Sequence, residues 1–176
     1  MRKILKKNFF ERDTVLIARE LVGKFLVKKT GDREIAAKII ETEAYDGPED
    51  KAAHGSHGMT TRNEVMFGKA GRFYVYFIYG MYWMLNIVCG PENFPAAILI
   101  RGIEVDGLRI NGPGRLTKFL KIDKNSNGLE AGVKSGMWFE DKGFLVGRGR
   151  LASSKRIGVD YAGEWAHKPY RFYLKA

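Results

Sequence analysis

Cysteine is almost missing from this sequence: Cys89 stands alone among 176 residues. A single thiol excludes an internal disulfide and a thiolate zinc cluster. Histidine is nearly as scarce, and His54, His57 and His167 have no metal-ligand spacing among them. His54 and His57 lack a third partner, so neither a metal nor a cofactor is expected. A secretory core is missing too, because the apolar pieces of MRKILKKNFFERD are short and broken by charge. No repeat, linker or low-complexity tract divides the chain. Acidic residues are in deficit, with twenty Asp+Glu against thirty Lys+Arg and a formal net charge of +10. A surplus of that size points to a polyanionic partner, nucleic acid before an anionic membrane.

What is present reads as one domain spanning residues 1–176, long enough for a real core. Phe73 to Pro91 carries no charge and approaches the length of a membrane span. Four tyrosines, Gly80 and Asn86 interrupt it, however, and its β-branched and aromatic residues on either side of a glycine predict a buried hairpin. Asp13 is placed to cap a helix that Gly23 ends. Strands are expected at Lys24–Lys29, Glu34–Glu43 and Ala96–Val105, with a short helix from Thr60 or Thr61 through Met66. Gly112-Pro113-Gly114 opens a basic helix, Arg115 to Leu120, whose first amides are free to meet a phosphate. Short glycine-rich strands follow, and the chain closes on RFYLKA. The fold class expected is α+β: one compact domain, a curved and mostly antiparallel sheet with flanking helices and a protruding β-hairpin.

The segment with most chemistry in it is ETEAYDGPEDKAAH, Glu41 to His54. On a strand, Glu41, Glu43 and Tyr45 share one face and Ile40, Thr42 and Ala44 the other. Half-buried carboxylates need a partner or a task. Taken alone, the segment favours the plainer alternative of a surface strand with solvated glutamates.

Six ordered blocks carry more. They are ETEAYDGPEDKAAH, TTRNEVMF, YVYFIYGMYWMLNI, ILIRGIE, NGPGRLTKFLKI and RIGVDYAGEWAHKPYRFYL, and they cover nearly the whole chain from about Asp13 onward. Together they resemble the alkyladenine (3-methyladenine) DNA glycosylases of mammals and many bacteria, a family unrelated to the helix-hairpin-helix glycosylases. The resemblance implies an enzyme of base excision repair, a hydrolase that flips damaged purines out of double-stranded DNA and leaves an abasic site. It implies Glu43 as the catalytic carboxylate that activates water, with Arg101 holding that water and orienting the carboxylate. Tyr45, His54, Tyr76 and Asn86 would form the base pocket, with Asn86 crowding the exocyclic amine of normal guanine. Tyr79 would be the wedge that fills the gap in the duplex, although periodicity alone favours a core aromatic there. Arg62, Gly114, Arg115 and Lys118 would meet the DNA backbone. Glu41 receives no chemical role from the resemblance and reads as structural, or as partner to a nearby base.

A monofunctional monomer is expected, without membrane contact, acting inside the cell (cytoplasm or nucleoid in a prokaryote, nucleus in a eukaryote). The short stretch ahead of the matched blocks suggests a compact prokaryotic form. Arg115 stands where many relatives carry lysine, and Asp160 adds negative charge where relatives often have a smaller residue. A non-catalytic binder of damaged DNA with the same fold is the rival reading, and an RNA-binding domain a third; a binder has no need of Glu43 and Arg101.

Overall fold

A computed structural model describes residues 3–175. Its elements in order are β1 (Lys3–Ile4), α1 (Lys7–Phe10), α2 (Thr14–Leu21), β2 (Phe25–Thr30), β3 (Arg33–Asp46), β4 (Phe73–Ile78), β5 (Tyr82–Val88), β6 (Ala96–Val105), β7 (Leu108–Asn111), α3 (Pro113–Phe119), β8 (Met137–Asp141), β9 (Leu151–Ser154) and β10 (Arg171–Leu174). All the strand pairings are antiparallel, and the main path of the sheet runs β1-β8-β2-β3-β6-β5-β4. The class is α+β.

Asp13 does cap α2, its carboxylate accepting the Leu16 N–H at 2.7 Å, and Gly23 follows the helix at φ 91°. Helix α2 buries Ile17, Ala18 and Leu21 against the centre of the sheet. The Thr42 hydroxyl donates to Ala18 O at 2.7 Å and ties β3 to it.

Strand β3 is the axis of the molecule. Its first half pairs with β2 through a two-residue turn at Gly31-Asp32, and β10 takes over that edge at Glu41–Glu43. Its other edge follows β6 from Lys38 to Asp46, with the register slipping on either side of Glu41. Ile40, Thr42 and Ala44 turn to the core, leaving Glu41, Glu43 and Tyr45 on the opposite face.

The β4–β5 hairpin is held at its base and free at its tip. Only Asn86, Ile87 and Val88 of β5 pair with β6, so the outer half extends beyond the sheet. Helix α3 braces it: Thr117 donates to Trp83 O at 2.9 Å, and Gly114 lies so close that a Cβ there would fall 2.4 Å from the Tyr82 ring.

Two expectations need correction. Residues 60–66 form no α-helix. A turn leads into a single 3₁₀ turn at Glu64–Phe67, because the Asn63 amide is engaged by the Thr60 N–H, His54 O and Gly58 O instead of facing solvent on a helix. The basic helix starts at Pro113, two residues earlier than expected, because proline suits the first helical position and Gly112 at φ 102° supplies the sharp entry.

Candidate active site

Glu43 is fully buried, with no exposed surface. Its Oε1 accepts the Ile157 N–H at 2.8 Å, and its Oε2 accepts the Tyr45 hydroxyl at 2.9 Å. An Arg101 guanidinium nitrogen lies 3.6 Å from Oε2. Burial pushes the carboxyl above the ordinary glutamate range; Arg101, the Ile157 N–H and the Tyr45 O–H pull against it without cancelling it. A carboxylate of raised pKa, held by two hydrogen-bond donors and a nearby guanidinium, is suited to take a proton.

Arg101 is itself fixed. Its Nε meets Glu41 Oε1 at 3.3 Å, and Arg171 Nε meets the same oxygen at 2.6 Å. Glu41 is therefore partner to two arginines, one from β6 and one from β10. Arg101 O also accepts the Gly112 N–H at 2.8 Å, which sets the start of α3 beside the site.

In front of this group opens a cavity of about 410 Å³, lined by Tyr45, His54, Tyr76, Asn86 and Arg101, among others. Glu43 stands one layer behind the wall, and all three of its partners line the cavity. His54 packs edge-on against Tyr76, centroids 4.5 Å apart, and its Nδ1 shares a 2.9 Å hydrogen bond with the Tyr74 hydroxyl. Close packing first, then the Arg62 charge, hold His54 below its ordinary pKa, although the residue stays open to solvent. Burial takes Tyr74 up to about 12, so the pair is neutral near pH 7. Asn86 donates to Tyr74 O at 3.1 Å and Met84 O at 3.4 Å, so it is both a structural tie and a wall of the cavity.

Tyr79 is 80 % exposed at the hairpin tip, in left-handed backbone at φ 54°, with Gly80 at φ 65° next to it. Met81 N–H closes the turn onto Ile78 O at 3.2 Å. It is not the core aromatic that periodicity favours, and it stands at the cavity with Tyr82 and Tyr161.

Gly114 and Arg115 line the cavity as well, whereas Arg62 and Lys118 do not. Arg62 donates to Phe77 O at 2.9 Å with its guanidinium 5.6 Å from the Tyr76 ring centroid, bracing the hairpin. Lys118 borders a separate groove between α3 and Met81–Trp83. Asp160 lies 3.8 Å from Lys155 Nζ, which offsets its charge.

Several members of the site leave no mark of their role in the sequence. The RIGVDYAGEW block held the Ile157 amide and Arg156, yet nothing in its residue types says that a backbone N–H there meets Glu43. The side chain of Arg156 is buried and pairs with Asp50 in two bonds, NH2 to Oδ1 at 2.9 Å among them. Among the described residues no group of histidine, cysteine and acidic side chains is arranged to hold a metal ion, and no helix is long and apolar enough to cross a membrane.

The sequence profile of the methylpurine-DNA glycosylase (MPG) family matches residues 8–176. Relatives named "Putative 3-methyladenine DNA glycosylase" span almost the whole chain. The protein from Methanocella arvoryzae is 42% identical over 188 residues, covering 98% of this chain and 92% of its own. That from Legionella pneumophila strain Paris is 44% identical over 178 residues, covering 99% and 96%. A third, from Myxococcus xanthus, is 41% identical over 176 residues, covering 97% and 90%. With its profile matched nearly end to end, the chain belongs to the methylpurine-DNA glycosylase family, hydrolases of N-glycosyl bonds in DNA.

Proposed function

We propose that this protein flips alkylated or deaminated purines out of duplex DNA and hydrolyses their N-glycosidic bond with Glu43 as general base. The observation that carries the reading is the buried Glu43, held by Arg101, Tyr45 and Ile157 directly behind an aromatic cavity. A water oxygen attacks C1′ of the deoxyribose, its proton passes to Glu43, and the C1′–N bond breaks with its electron pair leaving on the base. Arg101, anchored by Glu41, orients the carboxylate and the water.

Substrate choice follows from the cavity. Purines alkylated at N3 or N7, such as 3-methyladenine and 7-methylguanine, are cationic; they gain about 0.5–2 kcal/mol over aromatic faces and leave readily. Tyr45 and Tyr76 supply those faces, His54 a face and an edge, and Asn86 disfavours the exocyclic amine of ordinary guanine. Hypoxanthine and ethenoadenine fit the same walls but are neutral, and are expected to be slower substrates.

Tyr79 enters the minor groove and fills the gap left by the flipped nucleotide. Arg115 and Gly114 beside the cavity, with Lys118 and Arg62 further out, meet phosphates. No lysine lines the cavity among the described residues, which supports a monofunctional hydrolase over a Schiff-base lyase. The protein is taken to act as a monomer and a single glycosylase domain, wherever the cell keeps its DNA.

The test is single-turnover base release from duplexes carrying 7-methylguanine, hypoxanthine or ethenoadenine. Release of a free base with an abasic strand remaining is expected; a strand cut, or a protein–DNA adduct trapped by borohydride, would contradict the monofunctional assignment. Affinity for the lesion duplex should fall with salt by a log–log slope of about −0.9 per phosphate contacted, and Arg115→Ala should flatten that slope by about one unit. An unchanged slope would remove Arg115 from the backbone contacts.

A further inference from the structure

Arg156 has no part in the scheme above, yet its side chain is fully buried and its bonds reach three segments that line the cavity. One guanidinium nitrogen donates to Ala44 O at 2.8 Å, on β3 between Glu43 and Tyr45. The other donates to Asp50 Oδ1 at 2.9 Å and to Trp165 O at 3.0 Å. Asp50 completes the clamp: its carboxylate also accepts the Asp46 and Ala52 N–H groups, each at 3.0 Å, fixing the turn that leads to His54. The guanidinium carbon lies 4.8 Å from the Tyr45 ring centroid, behind a wall of the cavity. The next residue along the chain is Ile157, whose N–H meets Glu43.

A buried ion pair is weak evidence for stability, because an apolar pair of similar volume often serves as well. Here its bonds converge on the carboxylate and on the ring in front of it. We infer that Arg156 and Asp50 are positioning residues for hydrolysis, holding the Ile157 amide on Glu43 and the Tyr45 ring beside it. This inference rests on the glycosylase reading given above.

The charged and titratable groups around Glu43 are Glu41 and Tyr45 on its own strand, Arg101 on β6, Tyr76 on β4, Arg171 on β10 and Arg156 itself. Loosening Arg156 leaves the others in place and withdraws one donor, the Ile157 N–H. Glu43 then binds its proton at higher pH, and base release should fail earlier on acidification.

The readout is the pH profile of single-turnover release of 7-methylguanine by the parent, Arg156→Lys and Ile157→Pro. Lysine keeps the charge but cannot span the four acceptors of the guanidinium, and proline deletes the amide donor at a half-exposed position. Both variants should lose rate at neutral pH, by about a hundredfold for a displaced reacting group. Both should also move the acid limb upward by about half a pH unit or more. A merely structural role lowers the rate by the same factor at every pH, so a folded variant with the parent's midpoint overturns the proposal. If Arg156→Lys does not fold, Asp50→Asn takes its place, because it keeps the volume of the pair while weakening the clamp; a parental midpoint in that variant overturns the proposal, and Ile157→Pro serves to calibrate the shift that loss of the amide donor produces. Failure of the parent to release any base would instead sink the glycosylase reading.

Discussion

Replacing Glu43 by glutamine is expected to lower single-turnover base release by about 10²–10⁴-fold and, at neutral pH, to make the protein more stable. The first effect follows from removing the proposed general base. The second follows from where that group sits. Burial raises the Glu43 pKa against the pull of Arg101, the Ile157 N–H and the Tyr45 O–H, so the folded protein binds this proton at higher pH than the unfolded chain does. Stability associated with the neutral carboxyl is present below the ordinary glutamate range and is lost as pH rises through the folded value. At neutral pH the parent therefore holds a buried charge that glutamine does not. Glutamine can still accept the Ile157 N–H, and Arg101 keeps Glu41. The variant should melt above the parent at neutral pH, and the margin should close on acidification toward the ordinary glutamate range. Retained base release would mean that another residue positions the water. A variant less stable than the parent would show that its partners outweigh the desolvation of Glu43.

Tyr79→Gly should separate flipping from folding. Removing the ring withdraws the proposed wedge, and unstacking a nucleotide is worth a few kcal/mol, about a hundredfold in excision rate. The ring is 80 % exposed, so its loss removes little packing, and glycine relieves a left-handed backbone that disfavours side chains by about 1–2 kcal/mol. Calorimetry should therefore find the melting temperature unchanged or slightly raised, while fluorescence of a 2-aminopurine beside the lesion reports reduced flipping. A variant that melts several degrees lower would show that the ring packs in the fold. Excision at the parental rate would take the wedge role from Tyr79.

The elements that were legible in the sequence are those whose signal is local. Asp13 and Gly23 bracket α2, Gly80 marks the hairpin, and alternation along Glu41–Tyr45 separates a core face from a polar one. Misreadings arose where a side chain satisfies backbone instead of pointing outward, as Asn63 does in the turn that replaces the helix expected after Thr60. The identities of Glu43 and Arg101 came from their resemblance to known motifs, and the structure adds the contact between them. What no pattern reveals is contact across the chain. Ile157 meets Glu43 from 114 positions away and Arg156 meets Asp50 from 106, because β9 and β10 bring the last quarter of the sequence back against β3.

The sheet order places the residues proposed for hydrolysis and for the wedge on backbones of different durability. Glu43 belongs to β3, hydrogen-bonded on both edges, whereas Tyr79 tops a hairpin whose outer half has left the sheet and whose first strand, β4, ends the strand order. Amides of β3 should exchange with deuterated solvent only through global unfolding, and those around Ile78–Tyr82 through cheap local opening. Warming should then erode the grip on duplex DNA while the hydrolytic centre is still whole, so that the temperature at which duplex lesions cease to be excised lies below the temperature at which the protein melts.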